Sequence, residues 1–283
     1  MVGIAEKRLE LGGLETRALE VDLGGEGGHP LLFLHGWSDS ADTWRPLMSE
    51  LGRRGRSSLA VDLPGFGTAD RLDREEANLP QLARFLEAAI EREAERTGSD
   101  VLAVGNSLGA LAAMRAAENP DLPLAGVMAI APAGLDMAGW FPIVEGAPLV
   151  RFVMRAPVPL PEVVLREAVG RTYRTLAFAR PAEVDPSVVS SFTRHVRSKR
   201  DVVRVLATGR RLLGEIGNPF QLERIKCPLL LVWGDQDRMV FASGADRVLR
   251  EVPTASLEVI EHCGHCPQLE ATERVADLLT DFP

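Results

Sequence analysis

Only three cysteines occur in 283 residues, Cys227, Cys263 and Cys266. They are too few and too unevenly placed for a disulfide framework, in keeping with a reducing compartment. Long apolar runs are missing as well, since no stretch approaches the roughly 20 residues of a membrane-spanning helix. The opening Met1-Val-Gly-Ile-Ala-Glu-Lys7 lacks the basic-then-apolar layout of a secretory signal. A soluble, cytoplasmic protein with no membrane span is expected. Lysine is scarce, with only Lys7, Lys199 and Lys226, so nearly every cation is an arginine. The net charge of −8 argues against nucleic acid as a partner. There is no Gly-Lys-Ser/Thr phosphate loop, no dinucleotide glycine spacing, no internal repeat and no low-complexity segment.

What is present is a hydrophobic fraction of 46%, ample for a large core. Two alternating segments, Arg8 to Leu11 and Glu15 to Val21, flank Gly12-Gly13 and predict an antiparallel pair at a sheet edge. Short apolar strands follow at Leu31 to Leu34, Ser58 to Asp62, Val101 to Val104, Gly126 to Ala131, Pro228 to Trp233 and Ser256 to Ile260. Helical spacing appears between them, around Trp44 to Leu51, over Leu79 to Arg96, from Leu108 to Ala117, near Ala245 to Glu251, and from Pro267 to about Leu279. Strands alternating with helices imply a doubly wound, mostly parallel α/β sheet covered on both faces. The rhythm breaks at Pro132. From Leu135 to Lys226 the chain is helix-like and proline-punctuated, which predicts a helical insertion between core segments 1–134 and 227–283.

The most informative stretch is Val101-Leu-Ala-Val-Gly-Asn-Ser-Leu-Gly-Ala110, a strand, a turn and the start of a helix. Gly105 and Gly109 remove the Cβ atoms that would obstruct a sharp corner, so Ser107 is pushed out at its apex. The amides and positive dipole end of the following helix face back toward it, which suits a developing oxyanion. A serine hydroxyl needs a base to take its proton as it attacks. Of five histidines, His265 is the best placed, on a glycine turn between the final strand and a proline-started helix, at the sheet edge where ligands bind. Gly234-Asp235-Gln236-Asp237 offers two acids just past a strand to orient and stabilise the imidazole.

Taken together, the chain resembles an α/β-hydrolase with a serine nucleophile and a helical cap. The resemblance rests on His35-Gly36-Trp37, Asp62-Leu-Pro-Gly-Phe-Gly67, Gly105-Asn-Ser-Leu-Gly109, Trp233-Gly-Asp-Gln-Asp237 and Gly264-His265-Cys-Pro-Gln-Leu-Glu270, in order over nearly the whole core. It implies an eight-stranded sheet, with Ser107 as nucleophile, His265 as base and Asp237 rather than Asp235 as acid. Asp136 is the position some relatives use instead. The resemblance also implies an oxyanion hole from the backbone N–H groups of Trp37 and Leu108, and loop-ordering roles for His35 and Asp62. Serine at the elbow sets the chain apart from the dehalogenase and epoxide hydrolase branches, which carry aspartate there. Ala110 stands where many relatives have a second glycine.

The implied chemistry is hydrolysis of a small-molecule carboxylic ester with a small to medium apolar acyl group, through an acyl-enzyme, without cofactor or metal. Met137, Trp140 and Phe141, within a larger apolar cluster reaching Met154, are the candidate acyl pocket. A carbon–carbon bond hydrolase of dienoic acids is the alternative, sharing the Gly-Asn-Ser elbow and the Cys-Gly-His turn, although the Gly-Pro-Gly run usual after His35 in those enzymes is missing. A non-hydrolytic ligand-binding relative is the third reading. Cys263-Gly-His-Cys266 has C-x-x-C spacing but no second pair, so packed thiols are expected rather than a metal site. Residues 135–226 hold 15 Arg and Lys against 9 Asp and Glu, a basic segment in an otherwise acidic chain.

Overall fold

The computed structural model describes residues 3–24, 28–139, 151 and 160–282. Eight strands form one sheet: β1 (Ala5–Leu11), β2 (Leu14–Val21), β3 (Leu31–Leu34), β4 (Ser58–Val61), β5 (Val101–Asn106), β6 (Leu124–Ile130), β7 (Leu229–Gly234) and β8 (Ala255–Ile260). Their order is β1-β2-β4-β3-β5-β6-β7-β8. The β1-β2 and β2-β4 pairs are antiparallel and the remaining pairs parallel. Most of β1 is exposed, and its Glu6, Lys7, Arg8 and Glu10 discourage edge-to-edge pairing.

The central strands read as unbroken apolar runs because both of their faces are buried. Along β3, Leu32 and Leu34 join one core layer with Leu82, Phe85 and Leu86 of α2 (Asn78–Thr97) and with Leu111 and Met114 of α3 (Leu108–Ala116). Leu31 and Phe33 face the opposite layer, built on Leu47, Met48 and Leu51 of α1 (Arg45–Arg53) and on Val275 and Leu279 of the helix Thr272–Asp281. Trp44 stacks on Phe33 there, with ring centroids 4.9 Å apart.

Between β6 and β7 the described residues include the helices Glu162–Ala177, Pro186–Thr193 and Lys199–Glu215 and a short 3-10 turn, Leu222–Arg224, and no strand. The helix Lys199–Glu215 starts with a capping box, Ser198 with Asp201. It ends by placing the Glu215 carboxylate on the first amides of α2, where Asn78 N and Leu79 N donate to it at 2.9 and 2.8 Å. A carboxylate at a helix N-terminus meets both unpaired donors and the positive dipole end, so this contact ties the helix Lys199–Glu215 to α2.

One sequence expectation is corrected. The helix from Pro267 to Leu279 is broken at Ala271 (φ −136°, ψ 47°) into Pro267–Glu270 and Thr272–Asp281. The break leaves Glu270 turned back to receive Gly264 N at 2.7 Å and Ala179 N at 2.9 Å, a role a continuous helix would not give it.

Candidate active site

Ser107 stands at the corner between β5 and α3 with φ 54° and ψ −109°, a region that non-glycine residues seldom occupy. The corner closes because its flanks carry no side chains. A Cβ on Gly105 would strike the backbone of Gly109, and one on Gly109 would strike the carbonyls of Leu34 and His35. Ser107 N donates to Ile130 O at 2.9 Å, which fixes the turn against β6.

His265 arrives from the other end of the chain on an equally crowded turn. Its amide donates to Ala177 O at 2.8 Å, and its carbonyl accepts from Asn106 Nδ2 at 3.0 Å, so the residue beside Ser107 also holds the histidine's backbone. His265 Nδ1 lies 2.7 Å from Asp237 Oδ2, and both residues are buried. The other Asp237 oxygen accepts from Met239 N at 2.7 Å and Val240 N at 3.1 Å. With Asp237 ionised, the proton of a neutral imidazole belongs on Nδ1. Nε2, which is buried and has no hydrogen-bond partner, then carries its lone pair toward the space it shares with Ser107.

The other acids lie elsewhere. Asp235 is exposed and accepts from Cys263 N at 3.2 Å, ordering the turn. Asp136 is exposed and accepts from Ser243 Oγ at 2.6 Å.

Gly36-Trp37 packs against the elbow: a Cβ on Gly36 would lie 3.4 Å from Ser107 Cβ. Leu108 is the first residue of α3, so its amide belongs to the turn without intrahelical acceptors. The loop carrying Trp37 is held from beneath. His35 accepts from Leu63 N through Nε2 at 2.8 Å and donates from Nδ1 to Gly36 O at 2.7 Å. Burial pushes its pKa down to about 4, so it remains neutral and keeps both bonds at physiological pH. Asp62 accepts from Ala41 N and Thr68 N, each at 2.8 Å, and from Arg17.

One cavity of about 110 Å³ contains Ser107 and His265. Its walls are Val169, Leu176, Val196, Val202, Leu206 and Met239, with Gly36 and Trp37 at the serine. Met137 is not among the lining residues; it bridges Val240 and packs beside Met239. Trp140, Phe141 and the rest of the proposed acyl cluster lie outside the described residues. Cys263 and Cys266 are buried free thiols that burial pushes well above their ordinary range, and no metal-binding cluster exists among the described residues.

The profile of the alpha/beta hydrolase family matches residues 31–278, which span β3 to β8 together with Ser107, Asp237 and His265. The chain belongs to that family. Among its relatives, the dihydrolipoyllysine-residue acetyltransferase component of the acetoin cleaving system of Pseudomonas putida is 28% identical, covering 99% of this chain and 70% of the relative. A 2-hydroxy-6-oxononadienedioate/2-hydroxy-6-oxononatrienedioate hydrolase, also of Pseudomonas putida, is 28% identical over 97% and 94% of the two chains. The solved structure of a serine hydrolase involved in carbazole degradation superposes with a TM-score of 0.77 over 99% and 98% of the chains, at 22% identity. Further matches are named as lipases and esterases. No helix of the described residues is long and apolar enough to cross a membrane.

Several residues that order this hydrolase's site carry no local sequence signal. Arg17, on β2 one strand in from the sheet edge, is buried and bridges Asp42 at 2.6 Å and Asp62 at 3.2 Å. Although burial opposes it, bonding from Arg17 and Arg45 brings Asp42 down to about 2. Arg194, at the end of the helix Pro186–Thr193, reaches the same Asp42 at 2.9 Å. Asp39 is buried in the cavity wall, where desolvation pushes it up to about 7. Glu270, quoted in the histidine motif, proves to anchor the histidine turn on Ala179 of the inserted segment.

Proposed function

We propose that this hydrolase cleaves carboxylic esters of small to medium apolar acyl groups through an acyl-enzyme, with residues 135–226 acting as a cap over the core. The observation that carries the reading is the Asp237-His265 bond of 2.7 Å, which leaves Nε2 unpartnered in the cavity that also holds Ser107. In this reading Ser107 Oγ attacks the ester carbonyl while His265 Nε2 takes its proton. Asp237 holds the imidazole and stabilises its positive charge. The tetrahedral oxygen receives the Trp37 and Leu108 amides. Collapse expels the alcohol with the proton from His265. Water, deprotonated by the same nitrogen, then attacks the acyl-enzyme and releases the acid and Ser107.

The cavity supports the acyl preference. At about 110 Å³ it falls well below the roughly 300 Å³ at which sites for drug-sized ligands begin. Among the described residues its wall holds no arginine or lysine to receive a substrate carboxylate, which favours a neutral ester over an anionic dienoate. The test is steady-state kinetics on p-nitrophenyl esters from acetate to decanoate beside a 2-hydroxy-6-oxo-dienoate. The expected kcat/KM peaks at short chains, exceeds that on the dienoate by more than about tenfold, and falls by about 10³-fold or more in Ser107→Ala. Turnover of the dienoate with negligible ester hydrolysis would establish the carbon–carbon reading instead. Stoichiometric binding without turnover would place the protein among non-hydrolytic relatives.

A further inference from the structure

A second and larger recess lies on the outer side of the helix Lys199–Glu215. That helix turns Val202, Val205 and Leu206 toward the serine cavity. Its other side carries Arg200, Val203, Arg204, Ala207 and Arg211, which form one wall of a groove of about 1560 Å³. Arg71, Leu72 and Arg74, from the loop between β4 and α2, line the groove as well. Among the described residues seven cations border it, the five arginines just named together with Arg197 and Lys199, against one acid, Asp201.

Some of these cations are engaged: Arg204 pairs with Asp201 at 3.2 Å, Arg211 donates to the carbonyls of Asp73 and Glu76, and Lys199 is not free. Arg71, Arg74, Arg197 and Arg200 are exposed and make no ion pair with any described residue. Like charges gathered without counterions repel one another, and an anionic partner removes that cost. The chain as a whole carries −8, so this basic groove stands out against a net acidic molecule.

We infer that this groove docks an acidic amphipathic helix of a partner protein. The volume exceeds the roughly 1,000 Å³ upper range of small-molecule pockets, which points to a macromolecular segment. The recess is concave, whereas a bilayer presents a plane that meets only the rim. Leu72, Val203 and Ala207 add apolar surface between the arginines, matching a helix with acidic flanks and an apolar stripe. The inference does not depend on the ester reading, since binding is measured without turnover.

The probe is a fluorescein-labelled Glu- and Leu-rich helical peptide of about four turns, followed by anisotropy at roughly 0.01 M and 1 M salt, where the Debye length falls from about 30 to 3 Å. Anionic phosphatidylglycerol vesicles and inorganic pyrophosphate serve as competitors. Binding at low salt that weakens at least tenfold in Arg74→Glu and in Arg200→Glu, and not in Arg250→Glu on a distant helix, is the expected result. Absence of peptide binding, equal weakening by Arg250→Glu, or sedimentation with vesicles through the same arginines without peptide binding would each overturn it. Circular dichroism of each variant separates lost docking from lost fold.

Discussion

Asp39 is a carboxyl group placed where water barely reaches it. Its amide neighbour Ser40 N donates to it at 2.8 Å, yet desolvation dominates and its pKa rises to about 7. An unfolded aspartic acid loses its proton near 3.9. Between those values the folded state binds more protons than the unfolded state, so this group's contribution to stability is full at low pH and is lost as pH rises through 7. Asp39→Asn removes the titration. The difference in unfolding free energy between variant and wild type, measured by urea titration, should shift in the variant's favour from pH 4 to 8, with a slope of up to about 1.4 kcal/mol per pH unit. A difference flat across that window would mean that Asp39 ionises freely in the folded protein. The two thiols near His265 belong to the same scale. Burial raises both Cys263 and Cys266, so native protein at pH 8 should take up iodoacetamide at Cys227 well before either, as peptide mass mapping would reveal.

At the scale of elements, the elbow depends on what its residues lack. A methyl group on Gly109 meets the Leu34 and His35 carbonyls, which belong to the centre of the sheet and have nowhere to move. Gly109→Ala should therefore cost more than about 2 kcal/mol and lower the thermal midpoint by several degrees, whereas Gly214→Ala, with open space around it, should leave stability nearly unchanged. Differential scanning calorimetry of both separates the effects. These local features were legible in the sequence, because apolar runs, glycine spacing and helix periodicity act over a few residues. The strand-turn-helix at Ser107 and the turns at Asp237 and His265 fall where those patterns place them. The break at Ala271 was not legible. It follows from Glu270 turning to Gly264 N and to Ala179 N, and the latter contact joins residues 91 positions apart.

Across the whole molecule, distant segments are joined by buried charge. Arg17 on the second strand, Asp42 before the first helix, Asp62 after the fourth strand and Arg194 in the inserted helices form one network under the loop that carries Trp37. Nothing in the sequence near Arg17 distinguishes it from a solvated edge residue, since its partners lie 25 and 45 residues away. Arg17→Met strips the buried Asp62 of its arginine partner and leaves Asp42 with Arg45 and Arg194 alone, and should destabilise by about 3–5 kcal/mol, seen as a lower urea midpoint. An unchanged midpoint would show that solvent reaches the network.

The proposed activation of Ser107 by His265 and Asp237 is read from intact mass after exposure to a fluorophosphonate, for wild type, Ser107→Ala and His265→Ala. One adduct on wild type, none on Ser107→Ala and slow labelling of His265→Ala is the result this account predicts. A folded wild-type protein that takes no adduct, or an adduct that persists in Ser107→Ala, would contradict it.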